Sequence, residues 1–185
     1  MASQSEYTEL YNKRMALIED NPHYTILASM NKPMADDATR VTQYIVYTDF
    51  KNDGQKQKTS SIFVYTPYAN VDKYGHSKAD FQAQLLFELN EWEQQVHITV
   101  LETLGSESRL AFFDYQNLGL AQLALQSLIN LSNKLGVKTI TGNISSFDKE
   151  KFAKIVHIFK KFTFDVDVKD SEHGIGKITK NLSNN

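Results

Sequence analysis

The residues from Val96 to Leu182 switch apolar period repeatedly, and the order of the switches admits few folds. Val96, Ile98 and Val100 alternate with polar neighbours, the period of a half-buried strand running to about Leu104. Ala121, Ala124, Leu125, Leu128, Leu131 and Leu135 then recur at helical spacing, and Gly136 stands where a helix C-cap glycine belongs. Val137 to Ile144 reads as a buried strand. Asp148 is placed to cap a second helix, with Glu150 in its first turn and Phe152, Ile155, Val156, Phe159 and Phe162 as its apolar face. Phe164 to Val168 is a strand, Ser171 to Gly174 a turn, and Gly176 to Leu182 a final strand. Strand, helix, strand, helix, strand, strand describes a mixed sheet flanked by helices in one α/β domain.

The first half is read from shorter signals. Ser3-Gln4-Ser5-Glu6 fits a capping box, and Tyr7, Leu10, Tyr11, Arg14 and Ile18 follow at helical spacing to a stop near Asn21-Pro22. Tyr24 to Leu27 is a short β-prone run. Arg40 to Phe50 and Ser60 to Thr66 are rich in strand formers and flank the turn signal Asn52-Asp53-Gly54, so a hairpin is expected with a polar tip at residues 51–58. Phe81 to Asn90 alternates with period two, and Glu91-Trp92-Glu93-Gln94 turns it onto the strand that begins at Val96.

Composition narrows the chemistry. Twenty Lys+Arg against 22 Asp+Glu in 185 residues give a net charge of −2, so no global basic field points to nucleic acid. No cysteine is present, which removes disulfides, thiolate metal sites and a cysteine nucleophile. The five histidines form no close pair at metal-ligand spacing, and no metal is expected. No apolar run approaches the ~18 residues of a membrane span, and Met1 to Glu6 has no signal-peptide character, so a cytoplasmic protein is expected.

The segment Gln116-Asn117-Leu118-Gly119-Leu120-Ala121 lies between a β-prone stretch and the strong helix. A turn that opens a helix presents N–H groups without intrahelical acceptors, and the helix dipole adds positive potential there, which suits phosphate. Gly119 lets a ligand approach the backbone closely. A glycine-containing helix start with no ligand has the same pattern.

That segment, with Phe113-Asp114-Tyr115-Gln116 before it and Lys134-Leu135-Gly136-Val137 after its helix, resembles the GNAT superfamily of N-acetyltransferases. The family's acetyl-CoA signature is Gln or Arg, two residues, Gly, one residue, Gly or Ala, and the stretch His157 to Phe164 is similar to the family's closing aromatic-lysine pattern. The likeness covers about residues 81–182, while residues 1–80 match poorly and read as a divergent substrate-side half. It implies a single domain over 1–185, with a mostly antiparallel mixed sheet and acetyl-CoA as acyl donor. The backbone of Leu118 to Ala121, with Gln116 and Asn117, would then hold the pyrophosphate. The strand end at Glu102 to Leu104 would pair with pantetheine, with Leu110 to Phe113 as the alternative. Asp148 and Phe159 would border the cofactor.

The same resemblance implies direct acyl transfer to an amine, on a small molecule or a peptide, with a carboxylate as base. Glu102 is first choice and Glu88 second; a solvated strand glutamate is the plain alternative for Glu102. Tyr115 is carried as a catalytic candidate, with Ser145, Ser146 and His157 beside it as substitute proton donors. Three departures stand out: Phe159 occupies the expected place of a proton-donating tyrosine, Asp148 that of an asparagine, and Thr163 that of a glycine. Phe159 motivates a second reading, a non-catalytic module that binds acyl-CoA or a protein. A third reading is an α/β interaction protein without a nucleotide ligand. Nucleic acid and membrane are not expected partners, and a homodimer is allowed for.

Overall fold

The computed structural model describes residues 3–35, 38–52, 59–68, 80–103, 119–145 and 149–182. Helix α1 (Gln4–Glu19) is followed by strands β1 (Thr25–Asn31), β2 (Gln43–Thr48), β3 (Ser60–Tyr65), β4 (Ala83–Asn90) and β5 (Gln95–Thr103). Helix α2 (Leu120–Lys134), β6 (Thr139–Ser145), α3 (Lys149–Lys161), β7 (Asp165–Asp170) and β8 (Ile175–Asn181) complete the order. The strands form one mixed sheet in the order β1-β2-β3-β4-β5-β6-β8-β7. The expected α/β class and the strand-helix-strand-helix-strand-strand order of the second half are both observed. The chain divides into two compact units, residues 1–56, 60–85 and 101–127 in one and 57–59, 86–100 and 128–185 in the other.

In the first unit, the capping box at Ser3 is formed. The Ser3 amide donates to the Glu6 carboxylate, and the Glu6 amide donates to Ser3 Oγ at 3.3 Å. Hydrogen bonds from the Ser3 amide and then the Ser3 hydroxyl hold the Glu6 carboxyl below the usual carboxylate range. Tyr11 and Ile18 on α1 pack against Ile45, Tyr47 and Tyr65, with Met15, Tyr24, Ile26 and Phe63 around them. The expected hairpin of β2 and β3 is antiparallel, with Ile45 opposite Tyr65 and Thr48 opposite Ile62. Its expected tip falls largely outside the described residues. β1 extends beyond the Tyr24–Leu27 run and pairs with β2 through a register shift between Ile26 and Ala28. Pairing with β2 carries the strand through Ala28 to Asn31, residues with little β-propensity of their own.

In the second unit, β6 pairs with β8 from Thr139–Asn181 to Ser145–Ile175, and β7 pairs with β8 on its far side, both antiparallel. Helices α2 and α3 stop by the same device. In α2, the Gly136 amide donates to Asn133 O and the Val137 amide to Ser132 O, with Gly136 in the left-handed region at φ 72°. In α3, the Thr163 amide donates to Lys160 O and the Phe164 amide to Phe159 O, with Thr163 at φ 63°. The position where the family resemblance expects glycine thus has a glycine-type backbone but carries a β-branched residue. Lys180 steadies it, its ammonium donating to Phe162 O at 2.8 Å and to Thr163 Oγ1.

A left-handed conformation costs a non-glycine residue roughly 1–2 kcal/mol. Glycine returns ~0.5–1 kcal/mol of that through greater unfolded-chain entropy. Thr163→Gly is therefore expected to raise stability by up to about 1 kcal/mol. Equilibrium urea unfolding checks it, and a lowered midpoint would show that the Lys180–Thr163 bond outweighs the strain.

Candidate functional site

Two places on the chain bear on ligand binding, one in each unit. The first is the start of α2. Gly119 adopts φ 79° and its carbonyl accepts the Leu123 amide at 3.1 Å, so it is the residue from which the helix is launched. Leu120 and Ala121 are buried, fixing that first turn to the body of the unit. No acidic residue lies in the first turn of α2, so no carboxylate there offsets the positive end of the helix dipole. A Cβ built on Gly119 would lie 3.9 Å from Arg40 Cγ, an ordinary contact. The need for glycine here is conformational rather than spatial, and a guanidinium-bearing side chain runs alongside.

The second place is the parallel pair β5–β6. Its register is Gln95–Thr139, Val96–Ile140, His97–Thr141 and Ile98–Gly142, and among the described residues it stops there. β6 continues to Ser145 bonded to β8, and β5 continues through Thr99 and Val100. Among the described residues, the β5–β6 ladder does not use the backbone groups of these continuations. Gly142 closes the last rung: a Cβ there would stand 3.1 Å from Ile98 O and 3.0 Å from Ile178 Cδ1. On the same strands, Thr141 Oγ1 accepts from Gln95 Nε2 at 2.8 Å and bonds His97 Nδ1 at 3.0 Å, tying the paired part together.

The sequence-derived site residues are distributed as follows. Gly119, Leu120 and Ala121 open α2 as expected. Glu102 belongs to β5. Leu104, Tyr115, Gln116, Asn117, Leu118 and Asp148 lie outside the described residues, as do the alternative strand end at Leu110 to Phe113 and Ser146. Glu88 is exposed on β4, its carboxylate accepting from Thr59 Oγ1 at 3.1 Å. Ser145 and His157 are exposed. Phe159 is 1% exposed and packs edge-on against Phe164 at 5.1 Å between ring centroids. That contact joins the two residues whose backbone bond ends α3, the usual hydrophobic accompaniment of such a stop. Among the described residues no group of His, Asp or Glu is arranged to hold a metal ion, and no helix is long and apolar enough to cross a membrane.

Two residues escaped the sequence reading of function. Arg40 carries no local signal that would place it beside Gly119. Arg14 does carry one, a charge within the buried stripe of α1.

No protein-family model matches the chain, and no curated protein matches it. Solved structures that match include the ribosomal-protein-S18-alanine N-acetyltransferase from Escherichia coli, at 12% identity and a TM-score of 0.44 over 68% of each chain. An acetyltransferase of the GNAT family from Staphylococcus aureus matches at 10% identity and 0.44 over 68% of each chain. PaiA N-acetyltransferase from Thermoplasma acidophilum, in complex with coenzyme A, matches at 9% identity and 0.44 over 68% of this chain and 62% of that one.

Gly142→Ala is expected to cost about 1–3 kcal/mol, because the added methyl meets a backbone carbonyl that cannot move aside without disturbing the rung. Denaturant unfolding measures it. A variant as stable as the parent would show that the β5–β6 ladder yields at its last pair.

Proposed function

We propose that the chain is an acyl-CoA-dependent N-acyltransferase of the cytoplasm, transferring acetyl from acetyl-CoA to an amine. The observation that carries this is helix α2, launched from a left-handed glycine with no acidic residue in its first turn. Taken by itself, the parallel pair β5–β6 stops at Ile98–Gly142 among the described residues while both strands run on. An unused strand edge is what an extended amide-bearing chain such as pantetheine pairs with. A helix start without acidic side chains is what a pyrophosphate binds.

In this reading the first-turn amides at Leu120 and Ala121, with Gln116 to Gly119 before them, take the pyrophosphate, and Arg40 adds charge-assisted donors. The amine, deprotonated by Glu102 or with Glu88 as alternate base, attacks the thioester carbonyl. The tetrahedral adduct collapses, the C–S bond breaks, and the thiolate takes up a proton from Tyr115 or water. Phe159 supplies no proton. Its burial in the α3 stop favours the second reading, a module that binds acyl-CoA without turning it over.

Acetyl-CoA binding by calorimetry, followed by a turnover screen over amines, tests the proposal in two steps. At a hundredfold excess over the dissociation constant, binding should stabilise the fold by about 2.7 kcal/mol. No heat and no shift at millimolar acetyl-CoA would remove the cofactor. Binding without turnover of any amine would leave the non-catalytic reading.

Gly119→Val and Gly119→Asn separate backbone from ligand effects. Both keep room beside Arg40, but valine strains the φ 79° position by roughly 1–2 kcal/mol, whereas asparagine tolerates it. Gly119→Asn is expected to fold close to normally and to bind CoA more weakly, because any side chain there hinders close phosphate approach. Unchanged CoA affinity in a folded Gly119→Asn would place the pyrophosphate elsewhere.

Phe159→Tyr divides the readings of that ring. Buried in the α3 stop, the added hydroxyl should cost ~1–3 kcal/mol and give no added turnover. A gain in turnover instead would set the thioester beside α3.

A further inference from the structure

The inward stripe of α1 is Tyr7, Tyr11, Arg14 and Ile18, so a guanidinium occupies a position that its neighbours on the helix use for packing. Its side chain is only 18% exposed. It lies over two tyrosine faces, 5.9 Å from the centroids of both Tyr47 and Tyr65. Against that burial its polar contacts are few. Nη2 donates to Tyr47 Oη at 3.2 Å, and Nη1 reaches Asp80 Oδ1 at 3.3 Å. Nε is buried and has no hydrogen-bond partner among the described residues.

A guanidinium has five donors in a planar fork and pairs best with an oxyanion at about 2.7–2.9 Å through two parallel bonds. Here two donors are engaged and both bonds are long. Among the described residues the carboxylate in reach is that of Asp80, which is 79% exposed, so water screens most of its field. The cation is thus desolvated on one side and poorly neutralised on the other. Its surroundings are also suited to a ligand body: Phe63 stacks on Tyr47 at 5.0 Å and Phe81 lies 5.0 Å from Phe63, both rings part-exposed.

We propose that Arg14 is the anchor of an anion site for a small ligand bearing a carboxylate or phosphate group. The ligand's oxyanion takes the guanidinium fork from Asp80, and its organic part lies along the rings of Phe63 and Phe81. Tyr47, whose hydroxyl donates to Asp80 O at 3.1 Å while accepting from Arg14, holds the fork in place. One consequence rests on the transfer reading above: the acceptor is an amine that also carries an acid group.

The test is made without CoA, so that it stands apart from catalysis. Thermal unfolding is followed against succinate and inorganic phosphate, with chloride at matched ionic strength. Wild type should gain about 5–10 °C at a hundredfold excess over the dissociation constant. The stronger of the two anions identifies the ligand's acid group. Asp80→Asn removes the competing carboxylate and should tighten binding about tenfold. Arg14→Gln should abolish the shift, and Arg14→Lys, which keeps the charge but not the fork and guards against a misfolded Arg14→Gln, should weaken it about tenfold. Equal shifts with chloride, or an unaltered anion response in Arg14→Lys and Asp80→Asn, would overturn the site.

Turnover with amino acids and phosphorylated amines against plain alkylamines then separates the two proposals. Anion binding without turnover sinks only the transfer reading. Turnover indifferent to the acid group, with no anion shift, sinks only this one.

Discussion

Four parallel rungs, Gln95 to Ile98 against Thr139 to Gly142, set what the second half of the chain can be. Parallel neighbours cannot be joined by a hairpin; the chain must cross over, and α2 is that crossover. The same rungs fix where β6 offers its other edge, on which β8 and then β7 assemble. Gly142 lies in the last of these rungs. Because it has no Cβ, Gly142 sits close to Ile98 O, and beyond it β6 runs on to Ser145 paired with β8. A ladder that stops while its strands continue has a chemical result: among the described residues, backbone donors and acceptors of Thr99, Val100 and Asn143 to Ser145 that this ladder does not use.

The helix ends show how backbone conformation and side-chain choice can be uncoupled. α2 and α3 close with the same pair of backbone bonds, yet one uses Gly136 and the other Thr163. The strain at Thr163 is met by Lys180 from β8, whose ammonium caps the helix carbonyl and bonds the threonine hydroxyl. Phe159 and Phe164 add the apolar half of the same closure. A position read from the sequence as facing the thioester therefore has a sufficient packing role of its own.

What the sequence made legible follows from how local each signal is. The capping box at Ser3, the apolar stripes of α2 and α3 and the alternation of β4 are contained in a few residues each, and those elements formed where expected. β1 was legible only to Leu27, because Ala28 to Asn31 are held extended by pairing with β2, information that lies at Gln43 to Val46. The site was legible in part for the same reason. Gly119 at a helix start is a local pattern, and its positive φ follows. The close approach of Gly142 to Ile98 at the last described rung of β5–β6 is not local, since it joins residues more than 40 positions apart. Arg40 beside Gly119 is likewise a meeting of distant segments.

Arg14 poses the opposite case, a residue visible in the sequence whose meaning needs the structure. Replacing a buried, poorly paired ion by an apolar side chain of similar volume is often neutral or stabilising. Packing does not therefore explain an arginine between Tyr11 and Ile18. Nor does tethering: Tyr47 already bonds the backbone carbonyl of Asp80 and fixes the approach to β4 without any charge. Burial raises the Tyr47 pKa above the ordinary phenol range, against the opposing pull of Arg14, so its hydroxyl stays neutral and keeps its proton for that bond. Once packing and tethering are accounted for by Tyr11, Ile18 and Tyr47, the unit-positive charge is left over. A surplus cation over two aromatic faces, with its Nε unpartnered and its counter-ion Asp80 largely in water among the described residues, is a receptor suited to an anion.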